Sequence, residues 1–167
     1  YNTAVGFDAG GAVTTGTSNT IFGSNAGDAI TTGSDNVAIG NFALSAEDGH
    51  GKNVAIGRDA LLVQNAGADA LNVAVGHHAG RAVSTGIDNV LIGAKAGDAL
   101  TSGAQNTAIG LEALTTEDSG SASTAVGYLS LRVQNNDALN HNVGVGYQSG
   151  VAVSSGTGNT VLGSFAG

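Results

Sequence analysis

Two stretches of sequence decide the fold: Asn36-Val37-Ala38-Ile39-Gly40 and its repeat Asn53-Val54-Ala55-Ile56-Gly57. The same five-residue word, Asn-[Thr/Val]-small-apolar-Gly, recurs along the whole chain. Its ten copies begin at Asn2, Asn19, Asn36, Asn53, Asn72, Asn89, Asn106, Ser123, Asn142 and Asn159. The spacing between successive copies is 17, except for two gaps of 19, and the order of the gaps is the same in 2–71 and 72–141. The chain is therefore an internal repeat, which has to be explained before any single element.

The period of the repeat predicts the architecture. A 17-residue unit is too short for a pair of helices or a propeller blade, and it suits one coil of a β-solenoid. At ~3.3 Å per residue such a coil has a perimeter of about 55 Å, which leaves room for two or three short strands. We predict an all-β fold, a parallel β-solenoid (β-roll or β-helix) of about ten coils of 17–19 residues, forming one domain over residues 1–167. Two superrepeats, 2–71 and 72–141, are identical at 33 of 70 aligned positions, and 142–167 begins a third.

Each position of the word predicts a role in the coil. The apolar fourth position predicts a core ladder, meaning equivalent side chains stacked from coil to coil. Its members are Val5, Phe22, Ile39, Ile56, Val75, Ile92, Ile109, Val126, Val145 and Leu162. The third position, usually Ala, points the other way along a strand and predicts a second, tightly packed face. The Gly at the fifth position indicates a positive φ or no room for a Cβ. The Asn that opens nine of the ten copies predicts a left-handed corner and amide bonds to the neighbouring coils.

A second strand is predicted after the word. Five coils carry Ala-[Val/Ile/Leu]-[Thr/Ser]-[Thr/Ser]-Gly, and its apolar residue predicts a second core ladder of Val13, Ile30, Val83, Leu100 and Val153. The other complete coils differ at the Ala-Gly pair that precedes this segment, because Leu replaces its Gly. These leucines are Leu44, Leu61, Leu114 and Leu131. We expect these modified coils to bulge or to widen the cross-section.

The composition excludes several classes of protein. The chain has 28 Gly and no Cys, Pro, Met or Trp, so it has neither a disulfide framework nor a Cys-ligated metal site. Thirteen acidic and five basic residues give a net charge of −8, which argues against a basic surface for nucleic acid. No apolar run approaches the ~18 residues of a membrane span. Charged residues make up only 11%, and we expect an uncharged Ala/Gly face to be buried against sister chains, in a side-by-side homotrimer.

The words Asn2–Gly6, Asn36–Gly40, Asn53–Gly57 and Asn106–Gly110 resemble those of trimeric autotransporter adhesin heads. The longer pattern, as in Asn2–Gly10 followed by Thr14-Thr15-Gly16, is similar to repeats of phage tail fibres. The resemblance covers the whole chain and implies a trimeric stalk or adhesive head, extracellular or on a virion. The chain begins and stops within the repeat, so we expect a fragment of a longer fibre. A host-surface receptor or glycan would be bound through other segments.

The acidic pairs and histidines are the candidates for chemistry. Glu47-Asp48 and Glu117-Asp118 are equivalent and four coils apart, about 19 Å by the stacking distance. That exceeds the ~5–10 Å of a glycosidase pair, so we interpret both as polar loops. The histidines are His50, His77, His78 and His141, and His77 and His78 occupy an exposed turn. Without EF-hand spacing, we expect no metal site; the alternative is a site built by threefold symmetry, with one His facing the axis. We expect no catalytic residue, no cofactor and no enzymatic activity.

A Thr/Ser ladder supports the competing hypothesis. Thr15, Thr32, Thr85, Ser102 and Ser155 share one place in their coils, and Thr arrays on β-solenoids are typical of ice-binding proteins. The ladder is interrupted at the modified coils, however, where an ordered ice plane would need continuity. The sequence therefore predicts first a structural or adhesive fibre segment, a rigid stalk or head displaying a receptor-binding tip, with ice binding as the alternative.

Overall fold

The computed structural model describes all 167 residues and shows a parallel β-solenoid of about nine turns. Ten three-residue strands, one in each word, form one parallel sheet in sequence order. They are β1 Thr3–Val5, β2 Thr20–Phe22, β3 Val37–Ile39, β4 Val54–Ile56, β5 Val73–Val75, β6 Val90–Ile92, β7 Thr107–Ile109, β8 Thr124–Val126, β9 Val143–Val145 and β10 Thr160–Leu162. The predicted fold class is confirmed. The structure has no helix that could span a lipid bilayer.

Each word stacks on the next in an unbroken register. Between β3 and β4, for example, Val37 pairs with Val54 and Ala38 with Ala55. The same register continues from β4 to β5, where Val54 pairs with Val73 across a 19-residue gap. The two extra residues are therefore absorbed in the turns, and the sheet keeps its alignment through the modified coils.

The predicted second strand is not formed. The segment after Ala12 lies in turns and bends, although it still bonds to the next coil, with Thr14 N donating to Thr31 O at 2.9 Å. Left-handed residues flank this segment on both sides. In the third coil, residues 36–52, Phe42 and Leu44 precede it and Lys52 follows it.

The predicted direction of the strand side chains was wrong. The third position of the word faces the core, where Ile21, Ala38 and Leu91 are fully buried. The fourth position forms a ladder, as predicted, but faces outward, with Val5 at 56% exposure and Ile92 at 37%. The coil interior is narrow, so it holds mostly Ala on this strand and the bulky β-branched residues lie outside. The expected outward Ala face therefore does not exist.

In six of the complete coils the core volume is balanced between two positions of the same coil. Where the third position is large, as at Ile21 and Leu91, the coil carries a Gly four residues after the word's own Gly, as at Gly27 and Gly97. A Cβ on Gly27 would lie 3.4 Å from Ile21 Cδ1 and 2.8 Å from Ile30 Cδ1. Modified coils exchange this pattern for Ala at the third position and a buried Leu at the later one. The second core ladder is confirmed, with Ile30, Val83 and Leu100 fully buried and Val13 and Val153 packed against the core.

The Asn ladder closes the coils and joins them. Asn19 Nδ2 donates to Gly33 O within its own coil at 2.8 Å, and Asn19 Oδ1 accepts the backbone N–H of Asn36 at 3.0 Å. Asn36 Oδ1 in turn accepts the N–H of Asn53. The predicted bonds between coils are confirmed. The left-handed residue, however, is the one before the Asn, such as Asp35 with φ 61°.

Candidate functional site

The outward face of the sheet is a surface that every coil repeats. We define the outer sheet face as the second and fourth residues of each word. The second residues are Thr3, Thr20, Val37, Val54, Val73, Val90, Thr107, Thr124, Val143 and Thr160, and the fourth are the ladder from Val5 to Leu162. Nine inter-strand spacings of ~4.8 Å give this face a length of about 43 Å. All of its side chains are Thr, Val, Ile, Leu or Phe.

The outer sheet face carries none of the charge of the chain. The chain has thirteen acidic and five basic residues, and all of them lie outside the second and fourth positions of the word. Even in the inner coils these positions remain half-buried or exposed, as at Val73, Val75 and Ile109. Exposed apolar strips of this kind are typical of interaction surfaces in general.

Aromatic side chains border one end of this face. The rings of Tyr128 and Tyr147 stack with centroids 5.0 Å apart, and Tyr147 meets Phe165 edge-on at 5.1 Å. Tyr128 and Tyr147 are equivalent residues of adjacent coils, about one strand spacing apart, and Phe165 lies one residue after the equivalent position in the last coil. They extend the apolar surface beyond the strands.

The sequence had predicted that both acidic pairs are polar loops, and this prediction was wrong for their glutamates. Glu47 and Glu117 are fully buried, whereas their neighbours Asp48 and Asp118 reach solvent. Each Glu occupies the place that Val, Ile or Leu fills in the unmodified coils. The Leu that replaces Gly in a modified coil takes over the apolar filling, so the later position can accept a polar side chain.

Glu117 accepts four hydrogen bonds from the residues around it. Its Oε1 accepts the N–H groups of Gly120 at 2.8 Å and Asn136 at 3.4 Å. Its Oε2 accepts Gln134 Nε2 and Asn140 Nδ2, both at 2.8 Å. Gln134 Nε2 also donates to Ser123 Oγ. Four donors thus compensate this buried carboxylate.

Glu47 has a poorer set of donors. It accepts the N–H of His50 at 3.1 Å and Asn53 Nδ2 at 3.4 Å. Gln64, the counterpart of Gln134, has a buried Nε2 without a hydrogen-bond partner. Ala70 stands where the second superrepeat has Asn140. Burial raises the pKa of Glu47, since the carboxylate is poorly compensated where it lies.

The different hydrogen-bond donors around Glu47 and Glu117 explain the one break in the Asn ladder. Ser123 stands where the first superrepeat has Asn53, and Asn140 stands where it has Ala70. Each superrepeat therefore has one Asn amide that donates to its buried Glu. In the first superrepeat this is Asn53, at the start of its coil, and in the second it is Asn140, near the end of the equivalent coil. The pattern of substitutions could have indicated this exchange, although not the burial of the carboxylates.

A group of potential metal ligands gathers around Glu47. One ligand atom each from Glu47, Asp48 and His50 lies within 4.8 Å of the others. His50 Nδ1 is 4.0 Å from Glu47 Oε1, and this nitrogen is buried without a hydrogen-bond partner. The motifs of the sequence did not predict this group. The sequence feature that could have indicated this group is His50, which lies three residues after Glu47, where other coils carry an apolar core residue.

The remaining candidates are more dispersed. His77 is exposed, as predicted, and its ring stacks on His78, whose Nε2 lies 3.1 Å from Asp59 Oδ2. An open polar cleft of about 470 Å³ is lined by Asp118, Asn135, Asn136, Asp137 and Ser155. No apolar side chain contributes to its walls.

The Thr/Ser ladder is exposed but discontinuous. Thr15 and Thr32 reach solvent in adjacent coils, and Gly49 and Ala66 take the same place in the next two. At the position just before this ladder, the hydroxyl of Thr31 donates a hydrogen bond to Asp48 O of the next coil at 2.9 Å. This part of the rod therefore presents no unbroken array of hydroxyl groups of the kind that ice binding would need.

Comparison with known proteins assigns no family. No protein-family model matches the chain, and searches of curated proteins and of solved structures find no match either.

Proposed function

We propose that this chain is a structural or adhesive segment of an extracellular or virion-surface fibre, in which three copies pack side by side through the outer sheet face. The observation that carries the proposal is the uncharged Val, Ile and Thr surface along the whole rod. The likeness of the words to adhesin heads and tail fibres supports the same assignment. The segment acts mechanically, as a stalk or head that positions a receptor-binding tip.

A second copy of the chain is the partner that fits this face best. Its ladders repeat with the same strand spacing, so side chains of two copies can interdigitate along the full length. A partner without the repeat would match the face at only a few coils. Because the face is uncharged, three chains of net charge −8 can bring these surfaces together while their carboxylates stay in solvent.

The stiffness of such a rod follows from its bonding. The backbone forms 104 hydrogen bonds, and those between coils run nearly parallel to the rod axis. Bending the rod would lengthen many of these bonds at once. The fully buried ladders, from Ile21 to Leu131, add a continuous core along the same axis.

Two matched isoleucine variants test the interface. Ile92, in β6, and Ile87, outside any strand, are each 37% exposed. We expect Ile92→Glu to convert the assembly to monomer in sedimentation equilibrium, because it places three carboxylates in an apolar contact. Ile87→Glu should leave the mass unchanged. Far-UV circular dichroism confirms that both variants fold.

The opposite pattern would contradict the proposal. If Ile87→Glu dissociates the assembly and Ile92→Glu does not, the contact lies elsewhere on the rod. If the unsubstituted chain is already monomeric, the alternative is tested by measuring thermal hysteresis, the sign of ice binding.

A further inference from the structure

We propose that Glu47, Asp48 and His50 bind one divalent transition-metal ion, of the Zn²⁺ class, in each chain. An imidazole with two carboxylates is a donor set that suits Zn²⁺ and its first-row neighbours. The three ligand atoms already lie within 4.8 Å of one another. Ligands at ~2.0–2.1 Å around a tetrahedral ion are about 3.3 Å apart, so small side-chain rotations bring these atoms to a common ion.

The imidazole is placed as a ligand. His50 Nδ1 is buried and makes no hydrogen bond, although nearly all buried polar atoms in proteins find a partner. It faces the Glu47 carboxylate at 4.0 Å, which is too far for a hydrogen bond and leaves room for an ion between the two. An ion bridging Nδ1 and the carboxylate would satisfy both groups.

The buried carboxylate also lacks compensation. Glu47 is fully buried and accepts two hydrogen bonds, one of them at 3.4 Å, whereas the equivalent Glu117 accepts four. Gln64, whose counterpart donates to Glu117, leaves its Nε2 unpaired here. Removing a carboxylate from water is costly unless it is paired or binds a metal. A cation at this place supplies the missing compensation.

The second superrepeat provides an internal comparison. Gly120 stands where the first has His50. A Cβ on Gly120 would lie 2.5 Å from the backbone oxygen of Asn136, so a His does not fit there without a shift of the chain. Glu117 is satisfied by amides, and Glu47 by the proposed ion. The chain should therefore bind one ion rather than two.

The site is open to solvent on one side. Asp48 is exposed and the His50 side chain is 36% exposed, while Glu47 closes the inner side. An ion can enter from the solvent, and water can complete its coordination.

Isothermal titration calorimetry with ZnCl₂, on the full chain freed of metal by a chelator, tests this proposal. The expected result is one Zn²⁺ per chain. The variant His50→Gly, which takes the residue of the second superrepeat, should lower the affinity by at least about tenfold, since even loss of an outer-sphere partner costs ~10–100-fold. The exposed His141 provides the control, and His141→Gly should bind like the unsubstituted chain.

Two further variants keep the test sharp. Asp48→Asn, at an exposed side chain, should weaken Zn²⁺ binding without loss of fold in circular dichroism. His77→Ala should have no effect on binding. If the unsubstituted chain binds no Zn²⁺, or if His50→Gly binds it as tightly as the unsubstituted chain does, the proposed site is wrong.

Discussion

At the scale of single residues, the coil depends on positions where only a hydrogen side chain fits. The Gly at the fifth position of every word has φ between 122° and 143°. In the inner coils, the space for a Cβ at this position is taken by the backbone of the next coil. A Cβ on Gly40 would lie 2.5 Å from Gly57 O. The sequence predicted this restriction because the Gly is invariant within the repeat.

Gly40→Ala is therefore expected to destabilise the fold by at least about 2 kcal/mol, from the strained φ and the backbone collision together. Gly67→Ala is the control, because Gly67 also has a positive φ, 69°, but no atom within 4 Å of the Cβ position. Its cost should stay at about 1–2 kcal/mol, the usual cost of a left-handed Ala. Urea denaturation followed by circular dichroism measures both. Equal losses would show that the collision between coils contributes nothing.

The amides beside the buried Glu residues provide a second test at this scale. Asn140→Ala removes a 2.8 Å donor from the fully buried Glu117 and should cost about 1.5–3 kcal/mol. Adding Ser123→Asn recreates the Asn and Ala arrangement of the first superrepeat, so it should recover part of that loss. A double-mutant cycle in urea measures the coupling between the two sites. Strictly additive effects would contradict the proposed exchange of amides.

At the scale of the coil, sequence reasoning identified the elements better than their orientation. The spacing of the words placed all ten strands, and alternation showed that the third and fourth positions face opposite sides. It did not show which side is the core, because both positions are apolar. The deciding quantity is the interior volume, and that depends on Leu44 and its counterparts filling the space left by Ala38. Those leucines come from a distant part of the coil.

The same limit applies to the candidate sites. Glu47 and Glu117 resemble polar loops when each is considered with its Asp neighbour alone. They are buried because a Leu three residues earlier, such as Leu114, takes over the apolar filling of the coil. The position of the His50 side chain beside Glu47 depends on the turn that follows Glu47, and the repeat does not specify the conformation of that turn. The Asn ladder could be predicted because its bonds connect equivalent positions of successive coils.

Leu114→Ala tests the compensation within a modified coil. Leu114 is fully buried in the left-handed conformation, φ 53°, and its truncation should cost about 2–5 kcal/mol. Leu71→Ala is a matched control, because Leu71 has φ 55° but is 51% exposed. Its effect should remain within about 0.5 kcal/mol. Similar losses of stability in urea for the two variants would indicate that burial of Leu114 is unimportant.

At the scale of the whole molecule, the chain is a narrow rod with its charge and its apolar surface separated. The charged side chains that reach solvent extend from the turns, and the outer sheet face presents only Thr, Val, Ile, Leu and Phe. The low fraction of charged residues, 11%, led to the expectation of an uncharged Ala and Gly face, and that assignment was wrong. The uncharged outer face is formed instead by the fourth-position ladder with the Thr and Val beside it. The homotrimer stays a prediction, now assigned to a different surface.

Sedimentation equilibrium of the unsubstituted chain, over a tenfold range of concentration, addresses the proposed trimer without any substitution. We predict a mass three times the 16.1 kDa of one chain, unchanged across the range, because the apolar face of each copy is buried by the other two. A folded chain that remains at the mass of one copy throughout would contradict the side-by-side assembly.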